Sequence, residues 1–441
     1  AYKIENAMGA YLLSVYKAAL PERFKDITEF QIVVNGKRNK LVPYENDGAT
    51  VYKSAFEMSE VEWDELLDAF FGEIIIGRVS FAQGATTAEY DTIADALAAV
   101  SGADQATITL NEALYSLSTG LTYNSSAPVA FIAAEGVFPI LDGNNKVGIF
   151  TSSSLSTGIV TFKGITFRNG RSSAAGGAIR AISSVNLFNC KFNNNTSSGA
   201  GAVNLSNGTF IIRECEFDEN SNTGNSGGAL SFGYQSSVEI LESTFASNTT
   251  KENGGAISFG NCDDVRIEDA TFTGNNATNG KGGALYLEGV SLFTLTDSCL
   301  DSNVGWYGGG LYLKQKSTTE EATISNTTFE SNKTDYPGRF GEGGGLRLEL
   351  KNAIEITSAI IKNNNAGSGG GGGICLSGSG IKTNGNLWKD SGIPYHGYSE
   401  NFSVSGNDGS ICTGTQFDNQ DPVLVMDNTS DLIDGYQFYL Y

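Results

Sequence analysis

A phenylalanine that returns at nearly constant spacing constrains this chain more than any other feature. It stands at Phe167, Phe192, Phe217, Phe245 and Phe272, gives way to Leu300 and returns at Phe329, with gaps of 25, 25, 28, 27, 28 and 29 residues. Ile361 continues the row. Three residues after most of these positions comes an asparagine: Asn195, Asn220, Asn248, Asn275, Asn303, Asn332 and Asn364. A glycine pair with Ala and an aliphatic residue then opens the next segment, as in Gly176-Gly177-Ala178-Ile179 and Gly254-Gly255-Ala256-Ile257. A period of about 20–50 residues marks a repeat architecture, in which each unit buries its apolar face only against its neighbours.

Within one repeat the apolar residues alternate and then skip. Seven and five residues before the recurring position stand Val185 and Leu187, Val238 and Ile240, Val265 and Ile267. Two residues before it the side chain is mostly small, as at Cys190, Cys215, Ser243 and Ala270. Period-2 alternation with a skip predicts a strand, a bend and a second strand. A third strand follows the glycines through Ile179, Val203, Leu230, Ile257, Leu285, Leu311, Leu346 and Ile374. Equivalent positions must stack, and neighbouring parallel strands lie ~4.8 Å apart, so about ten coils make a rod roughly 50 Å long. The predicted fold is all-β: a right-handed parallel β-helix, the hand that parallel crossovers favour, with a small α+β module in front.

That module covers residues 1–85. It reads as a helix over 4–20, a hairpin around Asn35-Gly36, and a second helix capped by Ser59 and Glu62. Strand Ile74-Ile75-Ile76 ends it, and attachment or capping is its expected role. The β-helix proper spans 86–441. It opens with a capping helix at 91–101, continues through repeats over 158–413, and closes over 414–441, where Tyr436 to Tyr441 suit a last strand or plug.

Charge narrows the function. The formal net charge is -21. Nucleic acid is disfavoured, because a binder needs cations to displace counterions from phosphate, and an anionic membrane surface is disfavoured likewise. No apolar run approaches the ~20 residues of a membrane helix, so no membrane insertion by this chain is expected. Glycans, proteins and cations remain as partners, with self-association into a homo-oligomer open.

The alternation of Gly-Gly-Ala-aliphatic with Phe-x-x-Asn resembles the repeats of the bacterial polymorphic outer-membrane proteins, over about residues 158–413. Residues 88–145 resemble, more loosely, the opening segment of pectin-lyase-like β-helix proteins. The resemblance implies a secreted or cell-surface rod with an adhesin-like role. The chain departs from that family after residue 413, where no run of alternating strands is long enough for a membrane barrel.

Four constellations could carry chemistry. Glu214, Glu242, Asp269 and Asp297 stand three residues before the recurring position on consecutive coils. Stacked ~5 Å apart at an effective dielectric of ~20, each adjacent pair would repel by roughly 3 kcal/mol. Splaying into solvent, neighbouring Arg213 and Arg266, or a bound calcium ion would relieve this. Stacked carboxylates are also how lyases and glycoside hydrolases build acid/base pairs, which keeps a polysaccharide lyase or hydrolase as one alternative to a non-enzymatic rod. A phage-type receptor-binding fibre is another. Tyr286, Trp306, Tyr307 and Tyr312 form an aromatic cluster suited to a sugar ring or a protein partner, or to packing on one another. Asp263-Asp264 faintly resembles the paired aspartates of polygalacturonases, but the companion motifs are missing and the one histidine, His396, is far along the chain. Among the cysteines, Cys190 and Cys215 share the small inward position and read as buried thiols. Cys375 and Cys412 each follow a glycine-led Ile on what read as neighbouring coils, and are the expected disulfide.

Overall fold

The computed structural model describes residues 78–377, with breaks at 153–157, 235, 336, 338–340, 352–353, 358 and 367–371. It also describes the backbone of strands 30–34, 37–46, 49–54, 402–404, 424–426 and 438–440. Helices expected over 4–20 and from Ser59, and the strand at 74–76, lie outside the described residues. The predicted hairpin forms, with Phe30–Val34 antiparallel to Lys37–Asn46 and Val34 opposite Lys37. A third antiparallel strand, Ala49–Ser54, joins it.

From Ala106 onward the chain winds as a right-handed parallel β-solenoid. Three sheets form its walls. The long sheet has 13 strands and the other two have 11 each. Each 11-stranded sheet includes one strand of the opening coil and one of the closing segment, which leaves about nine regular turns. The about ten coils read from the spacing are close to this. The stacking is in register throughout: Phe167 pairs with Phe192, Phe192 with Phe217, Phe217 with Phe245, and Phe245 with Phe272.

One coil shows why this sequence turns as it does. Asp264–Glu268 runs in the long sheet. Asp269, with φ 50°, turns the chain into Thr271–Thr273. Gly274, with φ 63°, turns it again, and Asn275 and the two-residue strand Asn276–Ala277 follow. Gly282, with φ 67°, makes the last corner before Leu285–Glu288. Each corner therefore rests on a left-handed residue, a conformation that costs a side chain with a Cβ about 1–2 kcal/mol and glycine nothing. The second glycine of a pair serves a different need. A Cβ on Gly255 would lie 1.9 Å from the Gly283 carbonyl oxygen of the next coil. The fourth ladder, seven two-residue strands from Arg171–Ser172 to Lys333–Thr334, was not legible in the apolar pattern because two residues are too few to alternate.

The core fills the solenoid axis. Phe192, Phe217, Phe245 and Phe272 are buried. Their rings stack at 4.6–4.8 Å within 3–7° of parallel. Each buried phenylalanine contributes about 2–3 kcal/mol by transfer from water, and each ring pair about 0.5–1.5 kcal/mol more. Leu300 interrupts the stack without breaking register, between Phe272 and Phe329.

A hairpin and a helix cover the first coil. Thr86–Tyr90 pairs antiparallel with Val79–Gln83, which pairs antiparallel with Ala106–Leu110. Helix α1, Ile93–Ala99, starts at Thr92, whose hydroxyl oxygen accepts from the Asp95 N–H at 3.1 Å. That side chain satisfies a donor the first turn would otherwise leave unpaired. The helix is shorter than the 91–101 expected, and it buries Ile93, Ala96 and Leu97. The helix packs across the end of the stack, against the long sheet and strand Leu121–Tyr123.

Candidate functional site

The acidic ladder forms, and its members are left-handed corner residues. Glu214, Glu242, Asp269 and Asp297 have φ of 54, 49, 50 and 50°, and all four side chains are exposed. The same position on flanking coils is Gly164, Asn189 and Asn326, also at positive φ. The seat thus selects for backbone conformation, and its carboxylates splay into water, where repulsion is screened. Of the offered routes of relief, Arg266 is engaged elsewhere. It pairs instead with Glu239 and Glu268, because it belongs to the long sheet and reaches along that face. Asp297 accepts from the Asn326 side chain one coil on. Among the described residues no group of three or more His, Cys, Asp or Glu is placed to hold a metal ion. Asp263 and Asp264 are exposed, with Asp264 opening a strand in register with Ser237 and Leu292. His396 lies outside the described residues.

The asparagine ladder is the opposite case. Asn195, Asn220, Asn248, Asn275, Asn303, Asn332 and Asn364 are all buried. Asn248 is typical. Its Nδ2 donates to the Phe217 carbonyl at 3.0 Å and to Asn275 Oδ1 at 3.0 Å. Its Oδ1 accepts from the Asn220 N–H at 3.1 Å and from Asn220 Nδ2 at 3.0 Å. Every polar atom of the side chain is used, and the corner's backbone groups are satisfied without water.

The aromatic cluster sits on the outer face of the glycine-led sheet. Tyr286 and Tyr312 are in register on adjacent coils, their rings 5.4 Å apart and within 7° of parallel. Tyr312 is 1 % exposed, so its ring is sealed in the cluster rather than offered as a platform. Tyr286, Trp306 and Tyr307 are half-buried. Tyr307 bridges in parallel to Lys281 on one side and Glu342 on the other. The segments before each glycine corner therefore stack as well and project over this sheet.

An ionic frame surrounds these rings, and the aromatic pattern alone does not point to it. Lys281 Nζ lies 4.3 Å from the Tyr312 ring centroid and donates to the Tyr312 hydroxyl at 2.7 Å. A cation over an aromatic face is attracted by the ring quadrupole. Burial pulls the Lys281 ammonium below its ordinary value. The Tyr286 hydroxyl donates to Glu288 at 2.6 Å, and burial together with that carboxylate pushes the phenol upward. Arg347, in the same outward register one coil beyond Tyr312, is 8 % exposed and its Nε lies 2.8 Å from Glu342. The repeat register does carry a signal for this residue, since Tyr286, Tyr312 and Arg347 occupy one row.

Cys375 continues that row. It is a buried free thiol, its sulfur 3.8 Å from Glu342. The strand paired with it is Phe438–Leu440, which places Tyr439 opposite Cys375. In strand register the position opposite Cys375 thus belongs to Tyr439. Cys412 itself lies outside the described residues.

A family model described as "Right handed beta helix region" matches residues 223–408. No curated protein and no solved structure matches the chain. The matched stretch covers the regular coils from Thr249 to Ile374, and together with the observed winding it supports placing the chain in the right-handed parallel β-helix superfamily.

Proposed function

We propose that the chain is a secreted or surface-exposed β-helix rod with no catalytic role of its own, adhesin-like or structural, whose outer faces bind a glycan or a protein. The observation that carries this reading is the aromatic strip. Tyr286, Trp306 and Tyr307 are held half-exposed on successive coils, and their backbone is fixed by strand pairing and parallel bridges. Rigid aromatic edges with polar neighbours supply contact area at small entropic cost. Repeat solenoids offer long regular faces for such contacts. The acidic ladder, the main feature favouring catalysis, is accounted for by its corner conformation.

The test is a glycan-array and polysaccharide-degradation screen on the purified chain. Binding that falls at least tenfold in Trp306→Ala and Tyr286→Ala, with no change in polymer length, supports the reading. Release of unsaturated or reducing ends, abolished by Asp269→Asn, overturns it in favour of a lyase or hydrolase. Asparagine suits that test because it occupies the same corner at Asn189 and Asn326.

A further inference from the structure

Cys190 and Cys215 occupy the small inward seat two residues before Phe192 and Phe217. The seats are on consecutive coils and in register. Lys191 pairs with Glu216, and the Glu216 N–H donates to the Cys190 carbonyl at 2.9 Å. Both side chains are buried, and both are free thiols in this structure. Neighbouring parallel strands are about 4.8 Å apart, inside the about 4.4–6.8 Å that separates the Cα atoms of a disulfide. The thiol hydrogen bonds are dispensable. Cys190 donates weakly to the Phe188 carbonyl at 3.4 Å, and Cys215 to the Arg213 carbonyl at 3.3 Å. Those carbonyls keep backbone partners in the Gly164 and Asn189 N–H groups. Among the described cysteines no other pair shares one seat on consecutive coils. Cys262 follows a glycine-led strand, Cys299 faces outward beside Leu300, and Cys375 lies on the outer row of the third sheet.

We propose that Cys190 and Cys215 close to a disulfide that ties two consecutive coils together as the chain folds in an oxidising compartment. The oxidant is a low-molecular-weight disulfide. One cysteine thiolate attacks it and releases a thiol. The other cysteine sulfur then attacks the mixed disulfide and releases the second thiol. The two cysteines lose two protons and two electrons, and the reagent gains them as two thiols. Closure belongs to folding rather than to the finished rod. In the closed core both sulfurs are buried, so a dissolved disulfide cannot reach them.

The experiment is to refold the reduced full-length chain in a mixed oxidised and reduced glutathione buffer, block free thiols under denaturing conditions, and map tryptic peptides. Cleavage after Arg180, Lys191, Arg213 and Lys251 isolates residues 181–191 and 214–251. A single cross-linked species joining these two peptides, and a loss of two titratable thiols, supports the proposal. The cross-linked chain should also melt several degrees above Cys190→Ser/Cys215→Ser. That variant is expected to fold, because Ser243 fills the same seat one coil on. Natively folded chain with both thiols blocked singly, or with either cysteine joined to a different one, overturns the proposal. Chain recovered from an oxidising secretory compartment gives the same readout without refolding, so a refolding failure leaves the question decidable.

Discussion

Two corners of the same coil obey opposite rules. At one, Asn220, Asn248 and Asn275 are buried, and each hydrogen-bonds to the coils on either side. At the other, Glu214, Glu242 and Asp269 stack with the same period but face solvent in a left-handed conformation. Both rows recur with equal regularity in the sequence. Periodicity alone therefore does not distinguish a side chain the fold depends on from one it tolerates. What separates them is water. The buried corner cannot hydrate its backbone, so a side chain with both donors and acceptors is required. The exposed corner needs only a residue that accepts positive φ.

The largest effect that would break this comparison is at the buried corner. Asn248→Ala leaves the Asn220 N–H without its partner and removes the side-chain hydrogen bonds to the Phe217 carbonyl, Asn275 and Asn220 Nδ2. The expected loss is about 3–5 kcal/mol in chemical denaturation. A loss below about 1 kcal/mol would show that the ladder is not structural. An Asn220→Ala/Asn248→Ala double variant should cost less than the sum of the singles, since the two share hydrogen bonds.

Next comes the stack between the corners. Phe245→Ala should cost about 3–5 kcal/mol by leaving a cavity. Phe245→Leu should cost only about 1–1.5 kcal/mol, because Leu300 already occupies this seat in register with phenylalanine neighbours on both sides. Equal costs for the two would mean that ring stacking, not volume, holds the core.

A smaller change, of opposite sign, is expected at the exposed corner. Glu242→Asn should stabilise by about 0.5–1 kcal/mol, since asparagine accepts the left-handed conformation better and a stacked charge is removed. The gain should shrink as salt is added. A clear destabilisation would show that the carboxylates hold something.

The smallest effect is a pH dependence near the opening coil. Burial alone would raise the Asp142 carboxyl. The Asn144 N–H at 2.8 Å and Arg168 Nε at 2.6 Å, with Asn169, outweigh it and hold the group below its ordinary 3.8. A carboxyl depressed in the folded state stabilises fully above its unfolded value and loses that contribution as pH falls through the folded one. The Tm should therefore drop more steeply in the wild type than in Asp142→Asn on acidification from about pH 5 to about pH 3. Parallel curves would assign no role to this carboxylate.

The row of phenylalanines, the inward aliphatics and the asparagines were legible residue by residue, because a solenoid converts sequence spacing directly into vertical neighbours. Val185, Leu187 and Phe192 meet their counterparts Phe210, Ile212 and Phe217 as the spacing demands. The candidate site was legible only in its aromatic half. Tyr286 and Tyr312 stack as read, whereas Lys281, Glu288 and Glu342 join them from corners and strand ends that alternation does not address. The acidic row was legible as a row, but its left-handed corner conformation was not, since charge repeats whenever a tolerant seat repeats.

The amino-acid order by itself determined the period, the inward rows and hence the parallel coil, because burying one apolar face per repeat leaves few other arrangements. Tertiary structure decided which repeating polar residues are sealed and which are wet. It also decided that Arg347, one coil beyond Tyr312, pairs with Glu342, and that Tyr439 lies opposite Cys375. Those outcomes depend on how segments between the corners fold over a neighbouring coil, and that geometry is set by contacts between coils rather than by any pattern within one.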